Sequence, residues 1–144
     1  MREIKDTQRS TVRLGYDGKV HKTFRGHQAQ ERFENEVNVL RYLQTKACPF
    51  VPELVREDAD SLYMVTTNCG TRVDDSISDK RIQELYQELE KDYGVLHDDP
   101  FSRNITYDTR KGRFCVIDFE YAIILETGEG LKQPEARTDH ERKR

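Results

Sequence analysis

The chain has 144 residues, 35% of them hydrophobic and 35% charged, with a formal charge of -3 from 24 basic and 27 acidic residues mixed along its length. That length fits one domain around one modest core, and the near-balanced charge leaves no basic footprint of the kind nucleic-acid binding needs. No run approaches the roughly 18 apolar residues of a membrane helix, and the charged start lacks the apolar stretch of a signal peptide. Cys48, Cys69 and Cys115 follow neither a disulfide framework nor a zinc spacing, so a reducing, cytoplasmic setting without a membrane partner is expected.

In chain order, "TVRLGYDGKVHKTF" (11–24) alternates apolar and polar residues around Asp17-Gly18. This predicts a β-hairpin whose two turn residues both take positive φ. "QAQERFENEVNVLRYLQ" places Phe33, Val37, Leu40 and Tyr42 or Leu43 near helical spacing, which predicts an amphipathic helix with Glu and Arg on its other faces. Pro49 and Pro52 break it, and "LVREDADSLYMVTTN" predicts a second hairpin turning around Asp58 to Asp60. Ile82, Leu85, Tyr86, Leu89 and Tyr93 mark a second helix ending at Gly94. "NITY" and "FCVIDFEYAIIL" flank the turn "DTRKGR" and predict a third hairpin with a buried second strand. From Glu126 onward the chain is polar and expected to be loosely held, and its basic end "ARTDHERKR" is expected to be solvated.

Between the second helix and the third hairpin lies "LHDDPFSRNITYD" (96–108), where His97, Asp99 and Asn104 stand as H-x-D-x-x-x-x-N. Asp118 follows Asn104 by fourteen residues, at the end of an apolar strand. Taken alone, the loop reads as an Asp/Asn/Ser-Pro turn whose side chains bond their own backbone. Lys22 alone reads as an exposed strand residue, and Glu36 alone as part of a solvated helix face. An acid between Ile117 and Phe119 is different, because a buried carboxylate must be paired, protonated or bound to metal.

Taken together and in order, Lys22, Glu36, His97, Asp99, Asn104 and Asp118 resemble the motif set of the protein-kinase-like superfamily, over roughly residues 10 to 122. The resemblance implies an α+β, minimal bilobal fold in a single domain. Residues 1–68 would form an antiparallel sheet with one long helix, 69–125 a reduced C-terminal lobe, and 126–144 a polar tail. It implies Mg-ATP (or Mn-ATP) as the bound nucleotide and phosphoryl transfer to a hydroxyl, on a protein Ser/Thr or on the chain itself. It also implies roles: Lys22 on the α- and β-phosphates with Glu36 holding it, Asp99 accepting the hydroxyl proton, and Asn104 and Asp118 as metal ligands. Thr67, Asn68 and Cys69 would be the adenine-facing hinge, and His97 a support for the loop.

Departures from the family pattern shape the expectation. No G-x-G-x-x-G precedes Lys22, so the Ser/Thr hydroxyls and backbone of "KDTQRST" are expected to cover the phosphates. Asp98 stands where arginine often precedes the catalytic Asp, and Asp-Phe-Glu replaces Asp-Phe-Gly. Only 26 residues follow Asp118, a compactness similar to RIO kinases, the KEOPS kinase subunit and lipopolysaccharide sugar kinases. A small-molecule or sugar kinase and a nucleotide-binding pseudokinase scaffold are the alternatives. Apolar positions on the 77–93 helix, left uncovered by the short chain, suggest a homodimer or a partner subunit.

Overall fold

The computed structural model describes residues 2–73 and 75–131, which form an α+β fold. The alternating run after residue 10 becomes the antiparallel pair β2 (Ser10–Leu14) and β3 (Val20–Phe24), with β1 (Arg2–Asp6) on the outer edge of β2. The turn between β2 and β3 differs from expectation: Gly18 takes φ 76 but Asp17 stays at negative φ. Five residues, Gly15 to Lys19, separate the strands. Gly18 N–H donates to Gly15 C=O and Gly15 N–H to Lys19 C=O, so a wider loop needs only one left-handed residue.

Helix α1 (Ala29–Thr45) leads to β4 (Leu54–Asp58) and β5 (Tyr63–Thr66), completing an antiparallel sheet in the order β1-β2-β3-β5-β4. Phe33, Val37, Leu40 and Leu43 are buried as the periodicity requires. Arg32 and Glu36, however, are buried too, so the charged residues of this helix do not all face water. After β6 (Thr71–Arg72), Ser78 caps α2 (Asp79–Tyr93), its hydroxyl accepting from Arg81 N–H, and Gly94 closes the helix at φ 70. Two small antiparallel sheets follow: β6 with β8 (Ile105–Asp108) and β9 (Arg113–Val116), and β7 (Val95–Leu96) with β10 (Ile123–Ile124) and β11 (Glu129–Gly130).

Gly70 holds the chain where it leaves the large sheet. Its φ is 94, and a Cβ there would lie 1.9 Å from the Tyr107 carbonyl oxygen, so only glycine lets this segment approach β8. The core runs continuously from α1 through Phe50 and Val51 to α2 and β9. In the apolar stripe of α2, Leu85 and Leu89 are fully buried and Tyr86 nearly so, while Ile82 and Tyr93 are partly buried against the same core. The three cysteines are free and buried. Among the described residues no helix is long and apolar enough to cross a membrane. In the polar tail, Glu129 and Gly130 pair with β10; "ARTDHERKR" lies outside the described residues.

Candidate functional site

Lys22 is the middle residue of β3, the middle strand of the large sheet, flanked by Val12 and Met64. Strand alternation turns it to the same side as Phe24, whose ring lies 4.6 Å from Nζ, and α1 packs over that side. Helical spacing then stacks Arg32, Glu36 and Leu40 along one buried stripe. Lys22 is only 6% exposed and Glu36 3%, so neither is the solvent-facing residue that each suggests alone. Lys22 Nζ donates to Glu36 Oε1 at 2.8 Å, to Glu120 Oε2 at 3.2 Å and to Asp118 Oδ1 at 3.4 Å.

Asp118 is not in a strand. β9 ends at Val116, whose N–H donates to Phe50 C=O at 2.8 Å, and Ile117 N–H donates to Asn104 C=O at 2.9 Å. Asp118 then takes φ 70, a left-handed conformation that Asp tolerates better than most residues, and Phe119 N–H donates to Glu36 Oε2 at 2.8 Å. The apolar run is therefore interrupted: once Ile117 and Phe119 bond to a loop and a helix rather than a strand, the ladder cannot continue. Glu36 consequently holds Lys22 with one oxygen and the backbone beside Asp118 with the other.

Glu120, two residues on, meets a second cation. Its Oε1 accepts from Arg32 Nη1 at 2.6 Å, and Arg32, fully buried, also donates to the carbonyls of His27 (2.8 Å) and Arg25 (2.6 Å). Lys5 of β1 completes the group, with Nζ 3.8 Å from Asp118 Oδ2. Three cations thus face three carboxylates. Burial acts to lower the Lys22 pKa, but Asp118, Glu120 and Glu36 outweigh it and hold the ammonium well above its usual range. Burial likewise acts to raise Asp118, and Lys22 and then Lys5 overcome it, keeping the carboxylate well below its ordinary value. Burial pushes Glu120 up to about 7, Lys22 opposing and the neighbouring Asp118 adding to the rise.

The second cluster is the 96–108 loop. Asp98 takes φ 73, and the reversal lets Asp99 N–H donate to His97 Nδ1 at 3.2 Å. That bond makes Nδ1 the acceptor, so Nε2 carries the hydrogen and donates to Ile117 C=O at 2.8 Å. His97 is buried edge-on between Tyr86 and Phe119, with both ring nitrogens engaged in the scaffold. Asp99 accepts from Arg103 Nη2 at 2.6 Å and Nε at 3.1 Å, and from Asn104 Nδ2 at 2.7 Å. Because that amide nitrogen also donates to Asp99 C=O, the Asn104 side-chain oxygen is left as the acceptor end.

The structure therefore brings Lys22, Glu36 and Asp118 into one cluster and Asp99 and Asn104 into another. Ile117 joins them through its bonds to His97 and Asn104. Between the large sheet and β8 opens a cavity of about 220 Å³ whose walls include Leu14, Val20, Met64 and Ile117, with Lys5, Lys22 and Asp118 at one end. Thr67, Asn68 and Cys69 line it as well. Cys69 C=O accepts from Thr106 Oγ1 at 2.7 Å, and Asn68 Oδ1 accepts from Gly70 N–H at 2.9 Å, which fixes this segment's course.

Glu36, Asp118 and Glu120 present carboxylate oxygens within 4.8 Å of one another, close enough to share a cation. The Lys22 ammonium reaches all three, so a metal there competes with a lysine already in place. Four contributors escaped the reading of the sequence: Arg32, Glu120, Arg103 and Lys5. Arg32 carried a signal, its i−4 spacing from Glu36, and Arg103 another, its i+4 spacing from Asp99. Glu120 and Lys5 lie in the quoted stretches Asp-Phe-Glu and "KDTQRST", but nothing local marked their partners, Arg32 and Asp118, which are more than 80 residues away in the chain. No model of a known protein family and no curated protein matches the chain.

Proposed function

We propose that the chain is an ATP-dependent phosphotransferase with a minimal, bilobal, protein-kinase-like architecture, acting on a hydroxyl of a protein Ser/Thr or of the chain itself. The observation that carries this reading is the buried Lys22–Glu36 ion pair at 2.8 Å, with Asp118 at 3.4 Å from the same ammonium, at the end of an apolar-walled cavity. Such a place suits a nucleotide: an adenine ring takes the apolar walls beside Thr67 to Cys69, and the phosphates lie by Lys5 and Lys22.

The oxygen donors suit a hard divalent cation. Asp118, held ionised by Lys22 and Lys5, and the acceptor oxygen of Asn104 are the ligands we assign to Mg²⁺ or Mn²⁺. When bound, the ion neutralises the charge that develops on the transferring phosphoryl group. Asp99 orients the acceptor hydroxyl and takes its proton as the oxygen attacks the γ-phosphorus and ADP leaves. Arg103 and Asn104 fix the carboxylate by bonds of 2.6–3.1 Å; Oδ2 accepts two of them and Oδ1 one, so Oδ1 retains a lone pair for the hydroxyl.

The same Arg103 fork favours a second reading, a module that binds nucleotide without transferring phosphate, because the guanidinium bonds to both carboxylate oxygens that a substrate hydroxyl would need to reach. Incubating the chain with Mg-ATP and labelled phosphate, alongside protein mixtures and sugar libraries, separates these readings. Transfer to protein supports the first, transfer to sugars names a small-molecule kinase, and a thermal shift without transfer supports the binding module. Asp118→Asn is expected to abolish transfer, and Asp99→Asn to lower it about a hundredfold or more, with the fold retained. Unchanged transfer in Asp118→Asn would sink the assignment.

A further inference from the structure

The connection between β1 and β2 bonds several of its own polar groups to one another. Thr7 Oγ1 accepts from the N–H groups of Arg9 and Ser10, both at 3.2 Å, and Thr7 N–H donates to Ser10 C=O at 2.9 Å. The Thr7 hydroxyl and the amides of Thr7, Arg9 and Ser10 are thus engaged within the turn, and the Ser10 hydroxyl is buried. A different device aims a charge at the cavity. Neighbouring residues of a regular strand point to opposite faces, yet Ile4 and Lys5 both line the cavity. The β1–β2 register explains it: Glu3 pairs with Arg13 and Lys5 with Val12, so a bulge at Ile4 turns Lys5 inward.

Lys5 differs from Lys22 in what it already holds. Lys22 is 6% exposed and shared by three carboxylates. Among the described side chains, Lys5 faces Asp118 alone, at 3.8 Å, and its side chain keeps 29% exposure. Were Asp118 to hold a metal ion, its carboxylate would be shared with that ion, and the Lys5 ammonium would be free to bond a phosphate in the cavity that it lines. We propose that Lys5 is the phosphate-covering cation of this site, binding the terminal phosphates of the nucleotide in place of a glycine-rich loop. The assignment rests on the nucleotide reading above. Its chemistry is that of a flexible point charge, which suits a ligand whose phosphates must enter and leave.

Calorimetric titration of the full chain with Mg-ATP and, separately, with adenosine tests this. Lys5→Met is expected to weaken Mg-ATP binding roughly tenfold, the loss of about one charge-assisted contact, and to leave adenosine affinity within about twofold. Lys5→Arg, which keeps the charge, is expected to retain most of the affinity. Equal Mg-ATP affinity in Lys5→Met and the parent chain overturns the role of Lys5 while leaving the nucleotide reading intact, and so do equal losses for both ligands. A parent chain that binds neither ligand overturns the nucleotide reading and this assignment with it.

Discussion

Glu120 is the residue at which the charges of this site are most finely balanced. Buried, bonded to Lys22 and Arg32 and crowded by Asp118, it titrates near 7 rather than at the 4.5 of an ordinary Glu. Between those values the native chain holds a proton that the unfolded chain has released, so raising the pH across that window lowers stability; above it the contribution is constant. Asp118 works in the other direction. Its depressed pKa stabilises the fold above about 3.8, and that contribution is lost only as the pH falls further. The two windows are therefore separable. Glu120→Gln cannot titrate, so its melting temperature relative to the parent chain is expected to rise as pH goes from about 5 to about 8. A difference independent of pH would show that Glu120 is not the group that titrates in this window.

At the scale of elements, α1 is less an amphipathic helix than a helix with a charged spine inside its apolar face. Arg32, Asn35 and Glu36 all reach the 117–122 segment: Arg32 through Glu120, Asn35 by donating to the carbonyls of Glu120 (2.9 Å) and Ala122 (3.0 Å), and Glu36 through Phe119 N–H. A segment with few ladder bonds of its own is thereby held by a helix. Arg32 is the most exacting of these contacts, because removing a fully buried guanidinium takes from Glu120 one of its two cations and from the carbonyls of His27 and Arg25 a donor each. Arg32→Met is expected to cost about 3–5 kcal/mol in urea unfolding. The same substitution made on Glu120→Gln should cost clearly less, since a neutral amide suffers less from losing its cation. Equal costs in both backgrounds would mean that Arg32 acts by packing alone.

Over the whole molecule, legibility in the sequence divided along the range of the interactions. The two helices and the three hairpins were readable because alternation, helical stripes and Gly94 act within a few residues of themselves, whereas the short strands β6, β7, β10 and β11 were not. Lys22, Glu36, Asp99, Asn104 and Asp118 were readable as candidates because their spacing is a pattern. That Asp118 leaves the strand, and that Arg32 meets Glu120 across 88 residues, was not readable, since a charge's partner is set only once distant elements pack. Those same long-range bonds determine how the molecule should unfold. Between the large sheet with α1 and the segment from β8 onward run the Glu36–Phe119, Asn35–Glu120 and Val116–Phe50 hydrogen bonds and the Lys22 ion pairs. A buried polar bridge of this kind has no half-formed state of low energy, because opening either side leaves carboxylates and amides unsatisfied. Urea unfolding followed by far-UV circular dichroism and by tyrosine fluorescence is therefore expected to give coincident transitions. Amide exchange of α1 and β9 should report the same opening free energy. Asn35→Ala combined with Glu36→Gln cuts two of the bridging groups while leaving the apolar core in place, and is expected to pull the two exchange values apart, with β9 opening first. Coincident values in that variant would show that the apolar core alone makes the molecule cooperative.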